Sequence, residues 1–133
     1  MTQTQETPMA KAPIGHTRWG IADNYIPAWS HGPEPEMASH EGLSILNTGD
    51  REVEVRITLY FTDREPAGPY KVKVGARRTN HVRMNLLDDP EPVPLGQPFS
   101  TVVEADGPVV VQLTRLDSRQ AENALLSVIA FAG

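Results

Sequence analysis

The chain has 133 residues, no cysteine and a formal net charge of −5. That length suits one domain able to bury a proper core; the missing cysteines exclude disulfides and thiolate metal sites, and the acidity argues against a general polyanion binder. No apolar run approaches the roughly 18 residues needed to span a bilayer, and Met1–Lys11 lacks the apolar core of a signal peptide, so the cytoplasm is the expected compartment.

Residues 1–14 hold two prolines and no periodic apolar pattern, which predicts a disordered leader ahead of a domain over 15–133. From there the pattern is β throughout. Val53-Glu-Val-Arg-Ile-Thr-Leu-Tyr-Phe61 alternates strictly, with Val53, Val55, Ile57, Leu59 and Phe61 on one face, the clearest strand signal in the chain. Tyr70–Val74 and Thr79–Met84 repeat it, and Arg18–Ala22, Gly42–Asn47, Phe99–Ala105, Pro108–Thr114 and Leu126–Ala132 complete eight short strands. Turn chemistry separates them at Asn47–Asp50, Pro66–Pro69 and Ala105–Pro108. The expected architecture is an all-β, single-domain antiparallel sandwich of jelly-roll type.

Two proline-rich connections, Tyr25–Glu36 and Asp88–Pro94, read as stiff, shaped loops, because proline fixes φ and excludes both ladders and helices. In the last strand Leu126, Val128 and Ala130 face one way and Ile129 and Phe131 the other. A two-layer sandwich buries only one face of such a strand. The second is expected to meet another subunit or a covering segment.

The segment Arg115-Leu-Asp-Ser-Arg-Gln-Ala-Glu-Asn-Ala-Leu-Leu-Ser127 is far richer than a turn requires. Arg115, Asp117, Arg119, Glu122 and Asn123 supply both charge signs and directional hydrogen-bonding groups, suited to a polar partner. Equally, it reads as a surface loop whose charges pair internally. Trp29 and Tyr25 sit in the proline-braced loop as possible stacking surfaces. Trp19 reads as core. Arg77, Arg78 and His81 fall in Tyr70–Arg83, which has no acidic residue; this is either a solvated strand face or an anion-binding patch. The four histidines lack metal-ligand spacing, although His40, Glu41 and His81 could assemble a site across strands. No nucleophile elbow, phosphate loop or dinucleotide fingerprint occurs, so neither an enzyme nor a cofactor is expected.

Arg18-Trp-Gly-Ile-Ala22, Tyr25-Ile-Pro27, Gly32-Pro-Glu-Pro35, Ser39-His-Glu41, Asp63-Arg-Glu-Pro66, Ala76-Arg-Arg-Thr79 and Arg115–Ser127 together resemble the soluble, Anabaena-type sensory rhodopsin transducer family. The resemblance extends over roughly residues 15–132. It implies a β-sandwich protomer, a cytoplasmic homotetramer and a non-enzymatic role as signal transducer or small-molecule sensor. Three readings follow. Polar loops and an aromatic enclose a sugar-like or anionic metabolite; the protein docks directly on a sensory rhodopsin through complementary charge; or Tyr70–Arg83 contacts DNA phosphates.

Overall fold

A computed structural model describes residues 11–133; the greater part of the expected leader lies outside the described residues. Among the described residues there are eight antiparallel strands: β1 (His16–Tyr25), β2 (His40–Asn47), β3 (Val53–Tyr60), β4 (Ala67–Val74), β5 (Arg78–Arg83), β6 (Pro98–Asp117), β7 (Ala124–Ile129) and β8 (Phe131–Ala132). A single 3₁₀ turn, Met84–Leu86, interrupts them.

The long strand β6 organises everything. Its first half pairs with β1 and β3, giving a layer ordered β4-β3-β6-β1-β8. Its second half pairs with β2 and β7, giving a second layer with β5 beyond β2. The expected turn at Ala105–Pro108 does not reverse the chain: it bends one strand from the first layer into the second. Phase survives the corner, since Phe99, Thr101, Val103, Gly107, Val109, Val111 and Leu113 all face inward. Gly107 fits closely there: a Cβ would lie 3.1 Å from both Arg51 Nη2 and Val53 Cγ2, which would have to shift to admit it. Conversely, the strand expected over Leu126–Ala132 divides at Ala130. Its nitrogen bonds Val111 O, and the chain then crosses to pair as β8 with Trp19 and Gly20.

The core lies between the layers. Val55, Ile57 and Leu59 of β3 meet Leu43 and Ile45 of β2, with Val103 and Val111 of β6 between them, all fully buried. Each such side chain contributes on the order of 1.5–3 kcal/mol. Trp19 belongs to this core and donates its indole N–H to Val109 O at 3.0 Å.

Candidate functional site

At one end of the sandwich, β1 runs into the loop 26–39, β2 begins, and β6 runs out into the segment 118–123. The side chains gathered there hold a polar network. Glu41 has no exposed surface, yet it sits in β2 in phase with Leu43 and Ile45. A buried carboxylate is tolerable only when fully paired, and this one is. Arg115 Nε donates to its Oε2 at 2.7 Å, the Tyr25 backbone N–H to the same oxygen at 3.0 Å, and Asn24 Nδ2 to Oε1 at 2.9 Å. Asn24 accepts from Thr101 at 2.8 Å, and Arg115 also lies 3.6 Å from Asp23.

A second set fastens the proline-rich loop. Buried Ser118 donates to Met37 O at 2.5 Å, its backbone N–H bonds Ser39 Oγ at 3.0 Å, and Ser39 Oγ donates to Trp29 O at 3.2 Å. His31 N donates to Ser118 O, also at 2.5 Å. The stiff loop read from its prolines is therefore bolted to the end of β6.

On this base stands a half-buried cluster beside an exposed tryptophan. Arg119 and Asp117 form a bidentate pair, with Nη2 to Oδ2 at 2.6 Å and Nε to both carboxylate oxygens at 3.0 and 3.1 Å. Hydrogen bonding from the guanidinium holds the Asp117 carboxyl below the usual carboxylate range, and Asp117 raises Arg119 in return. The Arg119 Cζ lies 5.7 Å from the Tyr25 ring centroid and 5.6 Å from that of Trp29, within cation–π range of both. Trp29 is 60% exposed. This end also exposes Asp23, Glu34, Glu36 and Glu122.

The sequence-based candidates thus divide. Tyr25, Trp29, Arg115, Asp117 and Arg119 come together, and the charges of the last three pair internally. Glu122 and Asn123 lie exposed on the adjoining segment. Arg77, Arg78 and His81 do not join them. Asn47 pairs with Arg78 at one end of β2 while His40 pairs with Leu116 at the other, seven residues and roughly 23 Å away at about 3.3 Å per residue. Arg77 stands outside β5 with φ 51° and contacts Asp50 at 3.5 Å. His81 faces outward opposite Ser44, whereas Glu41 points into the core, so His40, Glu41 and His81 do not converge. Among the described residues no group of three His, Cys, Asp or Glu side chains is placed to hold a metal.

Sequence reasoning missed Asn24, Ser39 and Ser118, and named Glu41 only within a possible metal site. For Glu41 a signal existed: a carboxylate in phase with the apolar positions of β2 must be buried and must have a cation. The sequence also hinted at the open flank beside this site. There, among the described residues, β7 pairs only with β6, and Leu126 and Val128 line a cleft of about 480 Å³ with Ile21, Leu113 and Phe131. Leu125 and Ile129 stand exposed on the other face, at 70% and 58%.

Fold and site together define an antiparallel two-layer β protein that presents a braced aromatic and acidic end. The sequence profile described as ASRT, Anabaena sensory rhodopsin transducer, matches residues 14–132. The chain belongs to that family. It is similar to a solved structure named Anabaena sensory rhodopsin transducer, with 50% identity, covering 79% of this chain and all of the other, at a TM-score of 0.72. It is also similar to the Thermotoga maritima protein 1070, with 34% identity over 90% of this chain and 96% of that one, at a TM-score of 0.80. Among curated proteins nothing matches.

Proposed function

We propose that this protein is a non-enzymatic cytoplasmic signal transducer that docks on the cytoplasmic face of a sensory rhodopsin through the Trp29 end of the sandwich. One observation carries the reading: an exposed tryptophan on a braced loop beside Tyr25, at an end of the sandwich that also exposes Glu34, Glu36 and Glu122. Tryptophan and tyrosine dominate protein–protein hot spots. The acidic surround suits the Lys- and Arg-rich loops that membrane proteins expose to the cytoplasm. Family membership points the same way. The test is a titration of the protein against a sensory rhodopsin in nanodiscs at low and high salt. Binding that weakens with salt and requires Trp29 supports docking; salt-independent binding that survives Trp29→Ala sinks it.

The small-ligand reading has less to support it, because the Arg115 and Arg119 guanidiniums are already committed to Glu41 and Asp117. The DNA reading is weaker still. Lys71 and Lys73 stand on β4 in the first layer, and Arg78 and Arg83 on β5 in the second, so the basic run does not gather on one face.

Self-association accompanies the docking role. The edge strand β7 carries no charge, proline or bulge to protect it, and natural edges without such devices are covered. Copies of the chain meeting along β7 would bury Leu125 and Ile129, in keeping with the expected homotetramer.

A further inference from the structure

We propose that Tyr25, Trp29 and Asp117 form a cation cage, filled by Arg119 in the free protein, which a guanidinium or ammonium side chain of a docking partner takes over. The inference rests on the docking reading and names the chemistry of the contact. The structure itself displays the class of occupant: one guanidinium lies 5.7 and 5.6 Å from two ring centroids and bonds a carboxylate at 2.6 Å. Two aromatic faces with one anion make up the composition that selects cations over neutral groups.

The walls and the occupant differ in how they are held. Tyr25 ends β1 with its N–H on buried Glu41, Trp29 has its carbonyl fixed by Ser39, and Asp117 ends β6. Arg119 belongs to the irregular segment between β6 and β7. Among the described residues, its side-chain hydrogen bonds all go to Asp117, two positions away. The walls keep their own anchors when Arg119 leaves, so an incoming cation has to replace only the Asp117 pair and the two ring contacts.

Electrostatics then demands a replacement. Without Arg119, the Asp117 carboxylate loses its bidentate partner and keeps only the weaker attraction of Arg115, which is itself paired with Glu41 and Asp23. A partner's Arg or Lys restores neutrality. Arg119 competes as an intramolecular ligand at an effective concentration in about the millimolar range. It therefore raises the threshold for weak cations and yields to one delivered by a docked surface.

The experiment uses N-acetyl-argininamide as the probe, with its neutral citrulline counterpart as control, and reads the fluorescence of Trp29. Trp19 is buried and serves as an internal reference. In Arg119→Ala and in Arg119→Gln, the arginine probe is expected to quench saturably in the millimolar range, at least about tenfold tighter than in the wild type, as suits a solvent-accessible cation–π site. The citrulline probe should do nothing, and adding Asp117→Asn should abolish the response. Equal responses to both probes, or no gain on removing Arg119 from a protein with unchanged circular dichroism, overturn the cage. That result leaves docking intact, since docking fails separately if Trp29→Ala binds the receptor like the wild type.

Discussion

Arg115 on β6 and Glu41 on β2 form an ion pair at 2.7 Å in which the carboxylate is wholly buried and the arginine side chain is 16% exposed. The pair joins the two strands just where they deliver the loops of the end that carries Trp29. It converts what reads as a solvent-facing motif into the foundation under one.

Removing one member of such a pair strands the other, along with the Tyr25 N–H and the Asn24 amide. Glu41→Ala is expected to destabilise the fold by about 3–5 kcal/mol, seen as a lower urea midpoint at unchanged m-value. A loss no larger than a surface substitution, about 0.5 kcal/mol, would show that the network does not brace this end.

Trp29 gives the opposite profile. Being 60% exposed, its replacement by alanine should leave stability within about 0.5 kcal/mol of wild type. Receptor affinity should fall by about 2 kcal/mol or more, as for an interface hot spot. Isothermal calorimetry beside a urea titration separates the two effects.

Charge polarity offers a third check. Glu34→Lys with Glu36→Lys should slow association with a basic partner surface and flatten its salt dependence. Arg77→Glu with Arg78→Glu, at the far end of β2, should leave the on-rate nearly unchanged. Stopped-flow rates at two ionic strengths decide, and equal sensitivity at both ends would refute the placement of the docking surface.

Tyr70 should make the fold sensitive to alkali. It is 1% exposed and donates its hydroxyl to Glu91 O at 2.7 Å. Burial pushes its ionisation above the usual 10.0, the Glu91 carboxylate adds to the rise, and Arg64 partly opposes it. A raised folded value means that the stabilisation is complete below the unfolded value and is lost as pH rises through the folded one. Thermal stability should therefore decline above pH 10. Tyr70→Phe should remove that part of the decline while costing about 1 kcal/mol at neutral pH for the lost hydrogen bond.

The edge strand predicts assembly. Leu125→Glu with Ile129→Glu places two charges on the outward face of β7, which should shift sedimentation to the monomer without altering circular dichroism. A wild-type protein that sediments as a monomer at every concentration would remove the basis for subunit contact along β7.

Local periodicity alone determined that this is an all-β chain with inward Val53, Val55, Ile57 and Leu59, a core Trp19, stiff proline loops and an apolar final strand, because side-chain alternation with period two is written into consecutive residues. It could not distinguish a turn at Ala105–Pro108 from a bend, since the same Asp-Gly step does either. Which one occurs depends on β1, β2 and β3 pairing on the two sides of the corner. Nor could it tell that Arg115 faces Glu41, 74 residues away, or that Arg77 and Arg78 stand at the opposite end from Trp29. Those relationships exist only once β6 has folded two layers together, because long-range strand register, not sequence neighbourhood, decides which charges meet and which aromatic is left in solvent.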